Sequence, residues 1–247
     1  MTDSLGFRKK FGVVAPSTNT TVQPEFDAMQ PRGVTNHFGR IHIPNDPVRN
    51  DEEFNRMMDN IRGAMMEAID RVMTCEPDYL VMGMSSETFW DGLDGSIRLR
   101  ERVEKRAGVK VAMGSDSCQA ALKCYGARRL GVITPYMPVG DAQVRRFFTD
   151  CGFEIVRLKG LQGTSPVQYA HISERQLRDT IIEINGPDVD AIIQVGTNLA
   201  MARLAGIAEF WLDKPVLAIN TCIYWWALRQ NGIDDKIDGF GSLLLEH

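Results

Sequence analysis

Gly12-Val13-Val14-Ala15-Pro16-Ser17-Thr18-Asn19-Thr20-Thr21 decides how the rest of this 247-residue chain is read. An apolar run of β character stops at a proline and gives way to five consecutive hydroxyl or amide side chains. The pattern predicts a buried parallel strand over 11–15 whose carboxyl end opens into a polar turn. A weaker copy follows as Gly131-Val132-Ile133-Thr134-Pro135-Tyr136. The two strand ends are expected to face one another across a single small-molecule pocket.

Between and after these strands the chain alternates. A short helix over 21–29 has Pro24 and Glu25 in its first turn, and His37 to Ile43 forms a second strand closed by Pro44. Residues 51–74 carry apolar side chains at Phe54, Met57, Met58, Ile61, Met65, Ile69 and Met73, a helical spacing with one apolar face. Strands follow at 79–82 and 109–113, with helices at 95–107 and from Gly114 through Cys124. From Leu130 the order recurs: strands near 130–134, 153–158, 191–195 and 215–219, with helices at 139–151, 174–184, 199–211 and 223–230. Short connections between alternating strands and helices imply parallel βαβ units.

The recurrence also holds in residues. Met82-Gly83-Met84-Ser85-Ser86 matches Gln194-Val195-Gly196-Thr197-Asn198, and Val111-Ala112-Met113-Gly114-Ser115 matches Leu217-Ala218-Ile219-Asn220-Thr221. Three matches in the same order predict an α/β fold of two similar parallel-sheet halves, 1–126 and 127–247, with the active site between them. The segment Ser242 to Leu245 is expected to pack back on the first half.

A formal net charge of −4 and the absence of clustered basic and aromatic residues argue against a nucleic-acid partner. No apolar run reaches the roughly 18 residues of a membrane span. The first ten residues are polar and lack the apolar core of a signal peptide. Five scattered cysteines, Cys75, Cys118, Cys124, Cys151 and Cys222, fit neither a disulfide framework nor a zinc site, and read as reduced thiols of a cytosolic protein. The four histidines are isolated, so no metal is expected. P-loop, dinucleotide and serine-elbow motifs are missing, so no cofactor is expected either.

In parallel sheets ligands bind beyond the carboxyl ends of the strands. That rule selects Ser17, Thr18 and Asn19, Ser85 and Ser86, Ser115 and Asp116, Tyr136, Gly196 with Thr197 and Asn198, and Asn220 with Thr221 and Cys222. Nearly all are neutral donors, suited with backbone amides to hold a carboxylate. Singly, each is as well explained as a helix cap. Six polar strand ends together favour a binding site.

The segment GVVAPSTNTTVQPE, residues 12–25, resembles the opening motif of maleate cis-trans isomerases. The wider spread of matches is similar to the aspartate/glutamate racemase superfamily, including arylmalonate decarboxylase. The resemblance implies two α/β halves around a cofactor-independent active site. It implies that Asn19 holds a substrate carboxylate and that Tyr136 donates to that carboxylate or to a developing enediolate. Ser85, Ser86, Thr197 and Asn198 would line the oxyanion pocket. A homodimer or higher homo-oligomer is the assembly that the resemblance suggests.

The chain departs from that family where its racemases and isomerases carry two cysteines, one at each matching strand exit, and arylmalonate decarboxylase keeps the second. Here the exits read Gly83-Met84-Ser85 and Val195-Gly196-Thr197, which removes thiol chemistry from those positions. One replacement is a Cys222 and Asp116 acid/base pair, since these follow equivalent strands and a thiol near a helix N-terminus has a lowered pKa. A buried structural role for Cys222 accounts for it equally well. Glu87, beside Phe89 and Trp90, is a further candidate proton donor. Asp91 reads as solvated and Trp225-Trp226 as core or subunit interface. The reading is an isomerase or carbon–carbon lyase for a small carboxylate or dicarboxylate. The alternatives are a carboxylate-binding sensor, or a hydrolase or hydratase using a carboxylate-activated water.

Overall fold

A computed structural model of the protein describes residues 3–247. The first half contains β1 (Lys9–Pro16), α1 (Val22–Ala28), β2 (Val34–Ile41), α2 (Asp51–Met73), β3 (Tyr79–Met82), α3 (Gly92–Ala107), β4 (Val111–Ala112) and α4 (Gly114–Cys124). The second contains β5 (Arg129–Thr134), α5 (Pro138–Asp150), β6 (Glu154–Gly160), α6 (Glu174–Ile184), β7 (Ala191–Gln194), α7 (Ala202–Leu212), β8 (Val216–Ala218), α8 (Ile219–Gln230) and α9 (Ser242–Glu246). Two short 3₁₀ turns, Ser86–Phe89 and Val167–His171, lie between β3 and α3 and between β6 and α6.

Each half builds a four-stranded parallel sheet, and the two orders are the same: β2-β1-β3-β4 and β6-β5-β7-β8. The quoted strand β1 and its copy β5 are therefore inner strands of their sheets. Helices cover both faces, so Val13, Val14 and Ala15 and their counterparts Val132 and Ile133 are fully buried. Local chemistry sets the helix ends. Asn50 accepts from the Glu53 amide at 2.9 Å to start α2, and the first turn adds Asp51, Glu52 and Glu53 where the helix dipole favours acids. Ser173 caps α6 through the Gln176 amide at 3.2 Å. At the end of α3, Gly108 takes a left-handed φ of +72° and returns its amide to Glu104 O.

Three of the boundaries that differ from the sequence reading bear on the site. Strand β2 starts at Val34 and stops at Ile41, which leaves His42 beyond the strand and exposed. Helix α7 begins at Ala202 because residues 195–201 form the turn that shapes the site. Helix α8 begins at Ile219, directly from β8, so Asn220, Thr221 and Cys222 lie in a helical first turn instead of a loop. Nearly every residue of α8 is buried, which removes the amphipathic signal that would have marked its start. The final helix also docks differently. Ser242 donates its amide to Glu209 of α7, and α9 packs on α8; the first half is reached through Tyr125, whose hydroxyl lies 2.7 Å from Ser242 Oγ.

Candidate active site

The carboxyl ends of β1, β3, β5 and β7 converge on one cavity of about 40 Å³. Its polar lining comprises Thr18, Asn19, Ser85, Ser86, Tyr136, Tyr169, Thr197 and Asn198, with Gly196 beside them. The apolar lining comprises Ile43, Met57, Ile61 and Met84, and three prolines, Pro16, Pro135 and Pro166, complete the wall. Among the described residues, neither a cysteine nor a charged side chain lines this space.

A chain of hydrogen bonds crosses the cavity between the halves. Asn19 Nδ2 donates to Thr197 Oγ1 at 3.1 Å, the Thr197 amide donates to Ser85 Oγ at 3.2 Å, and Ser85 Oγ lies 2.5 Å from the Tyr136 hydroxyl. Ser85 and Thr197 are equivalent positions of the internal repeat, so the duplication has put its own copies in contact. Asn19 serves two purposes at once. Its Oδ1 accepts from the Thr21 and Val22 amides at 3.0 and 2.9 Å and so caps α1. With the oxygen fixed there, the amide nitrogen is turned towards the cavity. Arg40 braces the same turn by donating to Asn19 O at 2.9 Å.

Several expected residues have other work. Ser17 lies outside the cavity lining: its hydroxyl accepts from Ile43 N at 3.1 Å and donates to Ile43 O at 3.2 Å, locking the ends of β1 and β2 together. Asn198 lines the cavity, but its amide is spent on the backbone. Its Oδ1 accepts from Thr20 N at 3.0 Å and its Nδ2 donates to Pro166 O at 2.9 Å.

The Asp116 and Cys222 pair does not exist as an acid/base couple across the site. Asp116 points to an outer groove, where Arg100 Nη1 lies 2.9 Å from its carboxylate. Cys222 is buried where α4 packs on α8, against Cys118, whose thiol is pushed up by burial and by that neighbour. Both strands β4 and β8 run straight into helices, so the first-turn side chains are taken up by helix packing. A Cβ at Gly114 would stand 2.8 Å from Ile219 Cδ1, which shows how closely the two helix starts approach. Glu87 is buried but turned away from the cavity, accepting from Arg62 Nε at 2.9 Å. Burial raises its pKa against the lowering effect of that arginine. Arg62 in turn stacks over Trp90 at 4.8 Å. Asp91 is exposed, and Trp225 is buried beside the half-buried Trp226 at α8.

Two residues escaped the sequence reading. Tyr169, on the second 3₁₀ turn, lines the cavity. Glu25, outside the cavity lining, ties α1 to the second half: it accepts from Ala202 N at 3.0 Å and from Asn220 Nδ2 at 2.6 Å, and Asn220 Nδ2 also donates to Thr197 O at 3.0 Å. Burial lifts the Glu25 carboxyl to about 7 despite these donors. The sequence signals for Glu25 were its place in the first turn of a helix and at the end of the 12–25 motif, and neither gave it a role. Among the described residues, no group of three His, Cys, Asp or Glu is placed to hold a metal, and no helix is long and apolar enough to cross a membrane.

Twin parallel sheets with a donor-lined cavity between their strand ends define a duplicated α/β scaffold with its candidate site between the halves. A profile of the arylmalonate decarboxylase family matches residues 12–244, and the chain belongs to that family. Curated relatives include maleate isomerase from Alcaligenes faecalis, 23% identical over 243 residues covering 95% of this chain and 96% of the relative. Maleate isomerase from Geobacillus stearothermophilus is 21% identical over 250 residues, covering 95% of this chain and 96% of its own. Among solved structures, a Nocardia farcinica maleate cis-trans isomerase mutant with a covalently bound succinylcysteine intermediate superposes with a TM-score of 0.88 at 20% identity, covering 97% of this chain and 99% of that one. A liganded mutant of arylmalonate decarboxylase reaches 0.80 at 17% identity, covering 95% and 98%.

Proposed function

We propose that this protein is a cofactor-independent enzyme for a small carboxylate, and that decarboxylation of a substituted malonate is the reaction its site fits best. The observation that carries this reading is the mixed lining of the cavity, neutral donors together with the apolar side chains Ile43, Met57, Ile61 and Met84 and, among the described residues, without a charged group. A carboxylate held against apolar side chains is poorly solvated and gains by leaving as carbon dioxide. The retained carboxylate collects the released electron pair as an enediolate, whose oxygens need fixed donors. Asn19 and the Thr197 hydroxyl supply them in this reading.

Tyr136 then supplies the proton. A phenol of ordinary pKa is already protonated at neutral pH, and burial raises that of Tyr136 further. Its proton passes to the substrate carbon, and the phenolate left behind is held by Ser85 until water restores it. Isomerisation of a cis diacid needs a nucleophile to add to the double bond before rotation, and no thiol lines this cavity. That chemistry is the second reading, favoured by the maleate isomerase relatives. Residues 1–126 and 127–247 are taken as the duplicated halves.

Proton NMR in deuterated buffer with phenylmalonate, methylmalonate and maleate tests the assignment. The expected result is carbon dioxide loss from a malonate with deuterium at the product carbon. Conversion of maleate to fumarate would replace it with the isomerase reading, and thermal stabilisation without turnover would make the protein a carboxylate binder. If none of the three acids stabilises the fold or reacts, the carboxylate assignment is wrong.

A further inference from the structure

Tyr169 is buried, lines the cavity, and has a hydroxyl with no hydrogen-bond partner. An unpaired buried hydroxyl is costly to keep, and in most proteins a packed tyrosine finds a partner for it. The neighbouring phenol shows the contrast. Tyr136 is engaged with Ser85 at 2.5 Å, whereas the Tyr169 ring stands edge-on to the Tyr136 ring at 6.4 Å with its own oxygen unused.

The surrounding chain holds Tyr169 in this position. The Val167 amide donates to Asn45 Oδ1 at 3.1 Å, Pro166 O accepts from Asn198 Nδ2 at 2.9 Å, and the Ile172 amide returns to Tyr169 O at 3.4 Å. A side chain at Gly163 would collide with the Tyr169 ring, so the loop gives up a Cβ to seat it. The backbone is thus organised around a residue whose polar atom does nothing in the unliganded protein.

We propose that Tyr169 is a substrate-contacting residue whose hydroxyl donates to a carboxylate oxygen of the bound molecule. The inference rests on the carboxylate reading of the cavity and extends it. The site then has two phenols with separate duties. Tyr136 is wired into the cross-cavity chain, and Tyr169 is kept free for the ligand. A substrate with an oxygen acceptor on the Tyr169 side is selected over one presenting only an alkyl group there.

Tyr169→Phe tests this, because it keeps the ring packing and removes only the hydroxyl. Phenylmalonate is titrated into wild type and variant, with turnover followed by NMR, and both proteins are melted without ligand. Losing a donor to a charged acceptor is expected to weaken binding roughly tenfold or more. Without ligand the variant is expected to melt at the same or a higher temperature, since an unpaired hydroxyl has been removed. In protein labelled at tyrosine Cζ, the resonance missing from the variant is expected to shift when phenylmalonate is added. Unchanged affinity and turnover in the variant overturn the role of Tyr169 while leaving the carboxylate site standing. A lower melting temperature without ligand also overturns it, by showing a structural partner for the hydroxyl. If wild type binds none of phenylmalonate, methylmalonate and maleate, and is stabilised by none, the carboxylate reading itself fails and takes this one with it.

Discussion

The inner strands of this molecule and the last strand of each half, β4 and β8, come from the same duplication but end in different ways. After β1, β3, β5 and β7 the chain leaves as a turn, and its polar side chains meet at a cavity. After β4 and β8 it enters a helix almost at once, and the first-turn side chains are absorbed where α4 packs on α8. A polar strand end therefore becomes a site only where the backbone pauses before its helix. The pause frees side chains and amides from helix packing, and its absence explains why Asp116 and Cys222 never meet.

The comparison can be broken most forcefully at Asn19. Asn19→Ala removes one cavity donor and the cap of α1 together. Turnover of the accepted malonate is expected to fall about 100-fold to 1000-fold, the scale of losing one oxyanion donor. Stability is expected to fall by about 1 kcal/mol, as for other lost caps. Steady-state kinetics and a denaturant titration read the two effects separately, and unchanged turnover would remove Asn19 from the site.

Glu25 joins the two kinds of strand end, since it reaches both the start of α7 and Asn220 in α8. Its carboxyl is raised from 4.5 to about 7 by burial, so between those values the folded protein binds more protons at this group than the unfolded chain does. Its contribution to stability is thus complete below pH 4.5 and is lost as pH rises through about 7. The loss is on the order of 3 kcal/mol. Comparing wild type with Glu25→Gln by chemical denaturation across that window should show the slope in wild type only. Parallel profiles would refute the assignment.

The smallest effect is expected at the sealed edge. Cys222→Ser should keep turnover within about twofold and cost roughly 1–3 kcal/mol for placing a hydroxyl in a dry interface. A large loss of turnover without loss of stability would restore the thiol to the chemistry.

Much of this was legible in the chain. The runs ending at Pro16 and Pro135, and their polar followers, marked the correct strand ends because a buried parallel strand and its exit leave local signatures. The function of each polar residue was less legible. Asn19 and Asn198 look alike in sequence, but one amide faces the cavity and the other is consumed by backbone groups from both halves. Tyr169 lies in a stretch without periodicity, and its approach to the site is created by folding over long range. The start of α8 was hidden because a helix buried on almost all sides shows no polar face.

The loops over the cavity have a consequence for measured affinities. Residues 43–48 and 161–169 are joined across the halves by the Val48 amide to Thr164 O at 2.8 Å and the Val167 amide to Asn45 Oδ1 at 3.1 Å, above a space of about 40 Å³. That space admits a few waters, whereas ligand pockets start near 300 Å³. A substrate needing more room than this has to part the two loops, and its apparent dissociation constant is then the intrinsic one divided by the fraction of molecules in which they stand apart. Substitutions that loosen the two loops would then tighten apparent binding without touching a single ligand atom.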